Sequence, residues 1–449
     1  MMAIEIKLKA PAPAHSSLMN KNAIIGGFIL LALSAAGQEM MVAPDHANGI
    51  YQVGQAVNWQ VTWSGGSNPP AAQYELLSGG LAEAGHGKLS FSNQVADLQT
   101  SFSAPGTMLV KVSWTWEGSE HRTVAGAVAA PQEIGLSAPR PGDFDKFWAA
   151  KIKELEQVPM DPKLERVAVG NSNVLYWKIT MNNIRDTYIQ GQLARPVAGK
   201  KFPALLIVQW AGVYGLEKNW VTDRASEGWL ALNIEPHDLP IDQPKTFYKE
   251  KFDGPLKEYW SIGNDDRDTS YFLRMYLSGY RALEYLTHRD DWDGKTLVVM
   301  GDSQGGMQTL MLAGLHPQDL TAAIALVPAG CDMLGPEMGR AGGWPNWYFN
   351  TNSSKDPAKI HEASRYFDVA NFAPEIRCPV LVGLGLCDQV CPPAGVLAAI
   401  NQIKSPKQTV VLPKSGHQDE HGTQAAFNKL RYSVWLPALV HGQPPPFEN

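Results

Sequence analysis

The hydrophobic period of the chain changes near residue 130, and this change limits the available folds more than any other feature. From residue 50 to 128, bulky apolar residues recur at every second position. Val57, Trp59, Val61 and Trp63 alternate with Ala56, Asn58, Gln60 and Thr62, which puts the large side chains on one face of a strand. Met108, Val110, Val112, Trp114 and Trp116 repeat the pattern, with Lys111, Ser113 and Thr115 opposite. Clusters such as Ser78-Gly79-Gly80 and Ala104-Pro105-Gly106 are turn signals between the runs. The pattern predicts an antiparallel β-sandwich over residues 38–130, immunoglobulin-like in kind. Its tryptophans are of a type that can stack on sugars, but the alternation points most of them inward, as core.

Residues 131–142, with Pro131, Pro139 and Pro141, read as a linker. Asp143 then offers an N-cap, and Phe144, Phe147, Trp148, Ile152 and Leu155 follow at helical spacing, giving a helix with one apolar face. Beyond it, continuous apolar runs at 203–208, 229–234, 296–300, 322–327, 380–385 and 408–412 are separated, in several cases, by helical stretches at 271–286, 304–315, 395–403 and 424–435. Uninterrupted apolar strands alternating with helices predict a mostly parallel sheet covered on both faces. Residues 143–449 are therefore expected to form one α/β domain.

Gly301-Asp302-Ser303-Gln304-Gly305-Gly306 lies between the strand 296–300 and the helix 304–315. A serine in such a strand–turn–helix is the nucleophile elbow of the α/β-hydrolase fold. Bulk at Gly301 or Gly305 would clash where strand and helix pass closely. A serine hydroxyl is barely ionised near neutral pH, so it needs a base and a carboxylate to orient that base. In this fold they follow in the order Ser, Asp or Glu, His. Asp388 comes just after the run 380–385, and His417 just after the run 408–412, both on the edge where the elbow opens. Asp332 and His421 are rivals for these roles; the pair His237-Asp238, after another strand end, reads as pocket lining or, more simply, as a loop bonded to itself. The tetrahedral oxyanion requires donors, expected from the backbone of Gln304 and from the loop 210–215.

The first 37 residues read as a secretory signal peptide, with residues 1–18 as an upstream extension. Lys21 precedes an apolar run from about Ala23 to Ala36, too short for the ~20 residues of a membrane span, and small residues then mark a cleavage site. The expected destination is secretion or the periplasm. The net charge of −6 argues against a nucleic acid partner. Cys331, Cys378, Cys387 and Cys391 lack zinc-site spacing and read as structural thiols or one disulfide. No metal and no cofactor are expected.

Together the segments "PRPGDFDKFW", "YFLRMYLSGYRALEYL", "GDSQGG", "VPAGCDM", "GLCDQVCPP" and "SGH" resemble the acetylxylan esterase and cephalosporin C deacetylase family, carbohydrate esterase family seven, over roughly residues 139–440. The resemblance implies a Ser303 nucleophile, a His417 base, an Asp388 acid and acetylated carbohydrates as substrates. It differs from the family in three places. The oxyanion loop reads Ala211-Gly212-Val213, which assigns the second donor to Val213. The family's Arg-Gly-Gln segment is replaced near 235–240, and Gln418 follows His417 where the family has Glu. Trp210, Tyr214 and Trp344, with Trp220, Trp260 and Trp347, read as a sugar-stacking rim or as loop anchors. A peptidase of the prolyl oligopeptidase kind and a glycan-binding protein with an idle hydrolase scaffold are the alternative functions. A homo-oligomer is an open arrangement.

Overall fold

The structure is a computed structural model that describes residues 39–66, 68–349 and 354–447; the expected signal segment, residues 1–37, lies outside these. Eight strands come first: β1 (Met40–Pro44), β2 (Ile50–Tyr51), β3 (Ala56–Trp63), β4 (Ala72–Ser78), β5 (Ala82–Lys88), β6 (Val95–Ser101), β7 (Gly106–Trp116) and β8 (Ser119–Ala129). They form a three-stranded sheet, β1-β3-β6, and a five-stranded sheet, β2-β8-β7-β4-β5. Val57, Trp59, Val61 and Trp63 from the first sheet share one buried cluster with Val110, Val112 and Trp114 from the second. The alternation thus places these tryptophans in the core. The β7–β8 hairpin closes with Trp116 opposite Ser119, and both turn residues, Glu117 and Gly118, have positive φ, the backbone of a type I′ turn.

The helix Phe144–Glu156 buries Phe144, Phe147, Trp148 and Leu155. Trp148 stacks on Tyr276 at 5.8 Å and donates its Nε1–H to Tyr366 O at 3.0 Å. Burying such side chains contributes on the order of 1.5–3 kcal/mol each. Asp143 occupies the N-cap position as expected, and its carbonyl accepts the Phe147 N–H at 2.9 Å. Its side chain does not cap the helix but accepts from Arg267 Nη1 at 2.8 Å and from the Tyr366 hydroxyl, charged and hydroxyl donors that outcompete a terminal N–H.

Nine further strands build the main sheet: β9 (Lys163–Val167), β10 (Val174–Asn182), β11 (Tyr188–Pro196), β12 (Phe202–Val208), β13 (Leu230–Glu235), β14 (Trp292–Asp302), β15 (Ala322–Leu326), β16 (Val380–Gly385) and β17 (Lys407–Leu412). Their order is β17-β16-β15-β14-β12-β13-β11-β10-β9. The strands from β17 to β13 run parallel, and β11, β10 and β9 continue antiparallel. Along β14, Leu297 and Val299 enter one core while Val298 and Met300 enter the other, as a strand buried on both faces requires. From β12 the chain moves to β13 on one side and then to β14 on the other. The loops leaving β12 and β14 therefore part at the carboxyl ends of these strands, the position at which such sheets bind their ligands.

Candidate active site

Ser303 stands between β14 and the helix Gln304–Leu315 with φ 57° and ψ −119°. Such a conformation costs a non-glycine residue about 1–3 kcal/mol and persists only where its surroundings over-determine it. Here the Ser303 N–H donates to Leu326 O at 2.9 Å, and its carbonyl accepts from Met307 and Ala329. The neighbouring glycines make the turn possible. A Cβ on Gly301 would lie 2.6 Å from Gly305 C, and one on Gly305 would lie 2.5 Å from Val208 O. Both are backbone contacts, which no rotamer can relieve.

The loops after β16 and β17 converge on this serine. Asp388 Oδ1 accepts the Val390 and Cys391 N–H groups, each at 2.8 Å, which fixes the carboxylate plane. Its Oδ2 lies 2.9 Å from His417 Nδ1, and His417 Nε2 lies 2.9 Å from Ser303 Oγ. A carboxylate only accepts, so Nδ1 carries the proton and Nε2 is free to accept from the hydroxyl. In this arrangement the imidazole can draw the proton off Ser303. The rivals sit elsewhere. Asp332 accepts from the Ser137 N–H and hydroxyl and pairs with Arg340 at 2.8 Å, and His421 is exposed. Asp388, Cys391 and His417 do bring donor atoms within 4.8 Å of one another. The carboxylate and both ring nitrogens are already committed to the hydrogen bonds above, and burial pushes the Cys391 thiol up. All four cysteines are buried free thiols, so the disulfide alternative is corrected.

The loop after β12 is held from three sides. His237 Nε2 lies 2.7 Å from Gly212 O, and its Nδ1 lies 2.8 Å from the Tyr271 hydroxyl. The Gly212 N–H donates to the Tyr259 hydroxyl at 3.2 Å, which itself donates to Gln304 Oε1 at 2.6 Å. Gly212 adopts φ +130°, a conformation glycine tolerates. Among the described residues, neither the Gln304 N–H nor the Val213 N–H has an acceptor. Burial drives His237 down to about 3, so it is neutral, and pushes Glu235 up to about 8. Glu235 Oε2 accepts the N–H groups of His237 and Leu239. His237 therefore does more than close its own loop. Its grip on Gly212, and the roles of Tyr259 and Tyr271, leave no mark in the sequence; no local pattern signals contacts spanning 25–47 residues.

Trp210, Tyr214 and Trp344 are all half-buried. Trp210 stacks on Tyr214 at 5.3 Å and meets the edge of Trp220 at 5.2 Å. The Tyr214 hydroxyl turns back onto Gln209 Oε1 and Trp210 O. Trp344 faces Trp260 at 6.0 Å, while Trp347 is buried and donates to Trp260 O, an anchor rather than a rim.

A mostly parallel sheet whose β14 leads into a strained serine at the start of a helix defines the class: the protein has an α/β-hydrolase-like fold. The sequence model of the acetyl xylan esterase family matches residues 133–436. The acetyl esterase Axe7A of Xylanibacter ruminicola is 30% identical over 448 residues, covering 96% of this chain and 99% of that relative. Two solved structures align at 23% identity and bear on the fold alone. The acetyl xylan esterase of Paenibacillus sp. R4 gives a TM-score of 0.58 over 68% of this chain and 98% of that one. Acetyl xylan esterase 1 of Thermoanaerobacterium sp. JW/SL YS485 gives 0.57 over 69% and 97%. The chain belongs to the acetyl xylan esterase family and is a carboxylic ester hydrolase. No helix among the described residues is long and apolar enough to cross a membrane.

Proposed function

We propose that this protein is an exported serine esterase that removes acetyl groups from acetylated carbohydrates, xylan or xylo-oligosaccharides foremost. The observation that carries the reading is the unbroken line Ser303 Oγ, His417 imidazole, Asp388 carboxylate, each link 2.9 Å, at the carboxyl edge of the sheet. His417 Nε2 takes the Ser303 proton as Oγ bonds to the ester carbonyl carbon. The carbonyl oxygen becomes an oxyanion held by the Gln304 and Val213 N–H groups. The C–O bond to the sugar then breaks, and the sugar oxygen leaves with the proton from His417. Water, deprotonated by the same imidazole, cleaves the acyl-enzyme, releasing acetate and restoring Ser303. Trp210, Tyr214 and Trp344 frame the sugar. Export rests on residues 1–37, with a periplasmic or secreted destination. The paired N-terminal sheets are read as an immunoglobulin-like sandwich.

Steady-state hydrolysis of acetylated xylo-oligosaccharides beside long-chain esters and amides tests the reading. Acetyl esters are expected to be the preferred substrates. Ser303→Ala is expected to lower kcat by several orders of magnitude, on the order of a millionfold in well-studied triads. Full activity in that variant overturns the triad, and preference for long acyl chains overturns the substrate.

A further inference from the structure

We infer that the N-terminal sheets belong to the ester-cleaving machinery: strand β8, through Gly126, positions the turn that carries Asp388. The inference rests on the reading of Asp388 as the acid. The described residues all belong to one compact unit, and the contact between β8 and residues 386–387 is backbone on backbone. A Cβ on Gly126 would lie 2.1 Å from Leu386 O and 2.6 Å from Leu386 C, and one on Gly49 would lie 2.5 Å from Leu386 Cδ1. The neighbouring Cys387 thiol has Val124 O, also on β8, at 3.8 Å. Strand β8 thus lies directly against a carbonyl two residues before the acid.

The opposite side of the same turn is held by the segment carrying the base. Leu386 N–H donates to Leu412 O at 3.1 Å, and Cys387 N–H to Ser415 O at 3.0 Å. The acid turn is therefore pinned between β8 and residues 412–415, which lead directly to His417. With one wall displaced, Asp388 shifts relative to the imidazole, because its own bonds to Val390 and Cys391 travel with the turn.

A second grip acts on the rim. The turn after β4 pairs Gly80 with Arg340, and Gly79 O accepts from Ala341 N–H at 2.8 Å. Arg340 also reaches Gly135 O at 2.7 Å and the buried Asp332 at 2.8 Å. From Ala341 the chain runs to Trp344, whose N–H donates to Val390 O at 2.7 Å, back on the acid turn. The N-terminal sheets thus hold both ends of one connected segment. Their own tryptophans Trp59, Trp63 and Trp114 are buried, which leaves a detached sugar-binding role without a surface built from them.

Gly126→Ala in the full chain is the test. Gly126 lies within a strand without positive φ, so alanine fits the local backbone, and the three atoms nearest its new Cβ all belong to Leu386. A fluorophosphonate that labels Ser303 counts the competent sites, and kcat is expressed per labelled site. A displacement of about 1 Å can cost about a hundredfold, so kcat per site is expected to fall about tenfold to a hundredfold, with KM within about threefold. Gly106→Ala, in the same sheet with no atom closer than 4.0 Å, is expected to keep the parent value. If Gly126→Ala does not fold, Gly49→Ala decides with an expected fall of about threefold to tenfold in kcat per labelled site; its Cβ meets Leu386 Cδ1 at 2.5 Å and Gly126 O at 3.4 Å, and the strain alanine adds at φ +67° shows in the number of labelled sites rather than in kcat per site. A merely structural contact would reduce the number of labelled sites and leave kcat per site unchanged, and that result overturns the inference. An active Ser303→Ala would instead overturn the triad reading on which it rests.

Discussion

At the scale of single residues, His237 links the loop after β12, the proposed oxyanion loop, to Tyr271. Gly212 O can only accept, so the His237 Nε2 facing it at 2.7 Å carries the proton, and Nδ1 accepts from the Tyr271 hydroxyl. A peptide unit is planar and trans, so fixing the carbonyl of Gly212 also fixes the opposed N–H of Val213. His237→Ala frees that peptide. Steady-state kinetics on an acetyl ester are expected to show kcat lower by about tenfold to a hundredfold, below the 10²–10³ loss of a deleted oxyanion donor, with KM within about threefold. His237→Gln, whose amide can donate to Gly212 O, should recover part of the loss. An unchanged kcat in both variants would remove Val213 from the oxyanion site. Ser303, Asp388 and His417 were legible in the sequence because each follows an apolar run, in a fixed order. The sequence leaves His237 between a pocket-lining residue and a self-bonded loop, since its meaning depends on Gly212, Tyr259 and Tyr271 arriving from three other segments.

At the scale of elements, the β14–serine–helix unit works only if two backbones touch. With Gly305 replaced by Ala, the new Cβ would sit 2.5 Å from Val208 O, at the end of the strand that leads into the proposed oxyanion loop. Overpacking of this kind costs about 1–3 kcal/mol, and any relaxation moves either Ser303 or residues 209–213. Gly305→Ala is expected to leave less than about one per cent of parent kcat with a lowered melting temperature, read by esterase assay and thermal denaturation; parent-level turnover would show the close approach to be dispensable. The strands around this unit, β12 to β16, are readable because burial on both faces leaves unbroken apolar runs, and the edge strand β17 through its apolar end Val410-Val411-Leu412. The antiparallel β9, β10 and β11 were not read. In β9, Lys163, Leu164, Glu165 and Arg166 are exposed, and a solvent-facing edge strand has no core to impress a pattern on its sequence. The stretch 424–435, expected as one helix, is Ala425–Lys429 followed by the wider turns of Leu430–Trp435, a change in backbone winding that side-chain periodicity does not register.

At the scale of the whole molecule, two groups a residue apart along the chain from Pro236 tie stability to pH in opposite directions. His237 is neutral when folded, at about 3 against 6.5 in the open chain. Its contribution is complete above pH 6.5 and is lost as pH falls toward 3, because the unfolded chain then binds a proton the folded one refuses. Glu235 runs the other way, at about 8 against 4.5. Its contribution is complete below pH 4.5 and is lost as pH rises toward 8, where the unfolded chain ionises first. The buried carboxyl keeps its proton because burial outweighs the two N–H donors at Oε2, and Oε1 has no partner among the described residues. Each group changes stability by about 1.4 kcal/mol per pH unit within its window, so the two nearly cancel between pH 4.5 and 6.5 and act alone outside it. Chemical denaturation from pH 3 to 9 is expected to show Glu235→Gln flattening the decline between pH 6.5 and 8, while His237→Gln flattens the decline below pH 4.5. If either variant only lowers stability by a constant amount at every pH, that group does not titrate with folding, and the slope in its window must come from charges elsewhere in the fold.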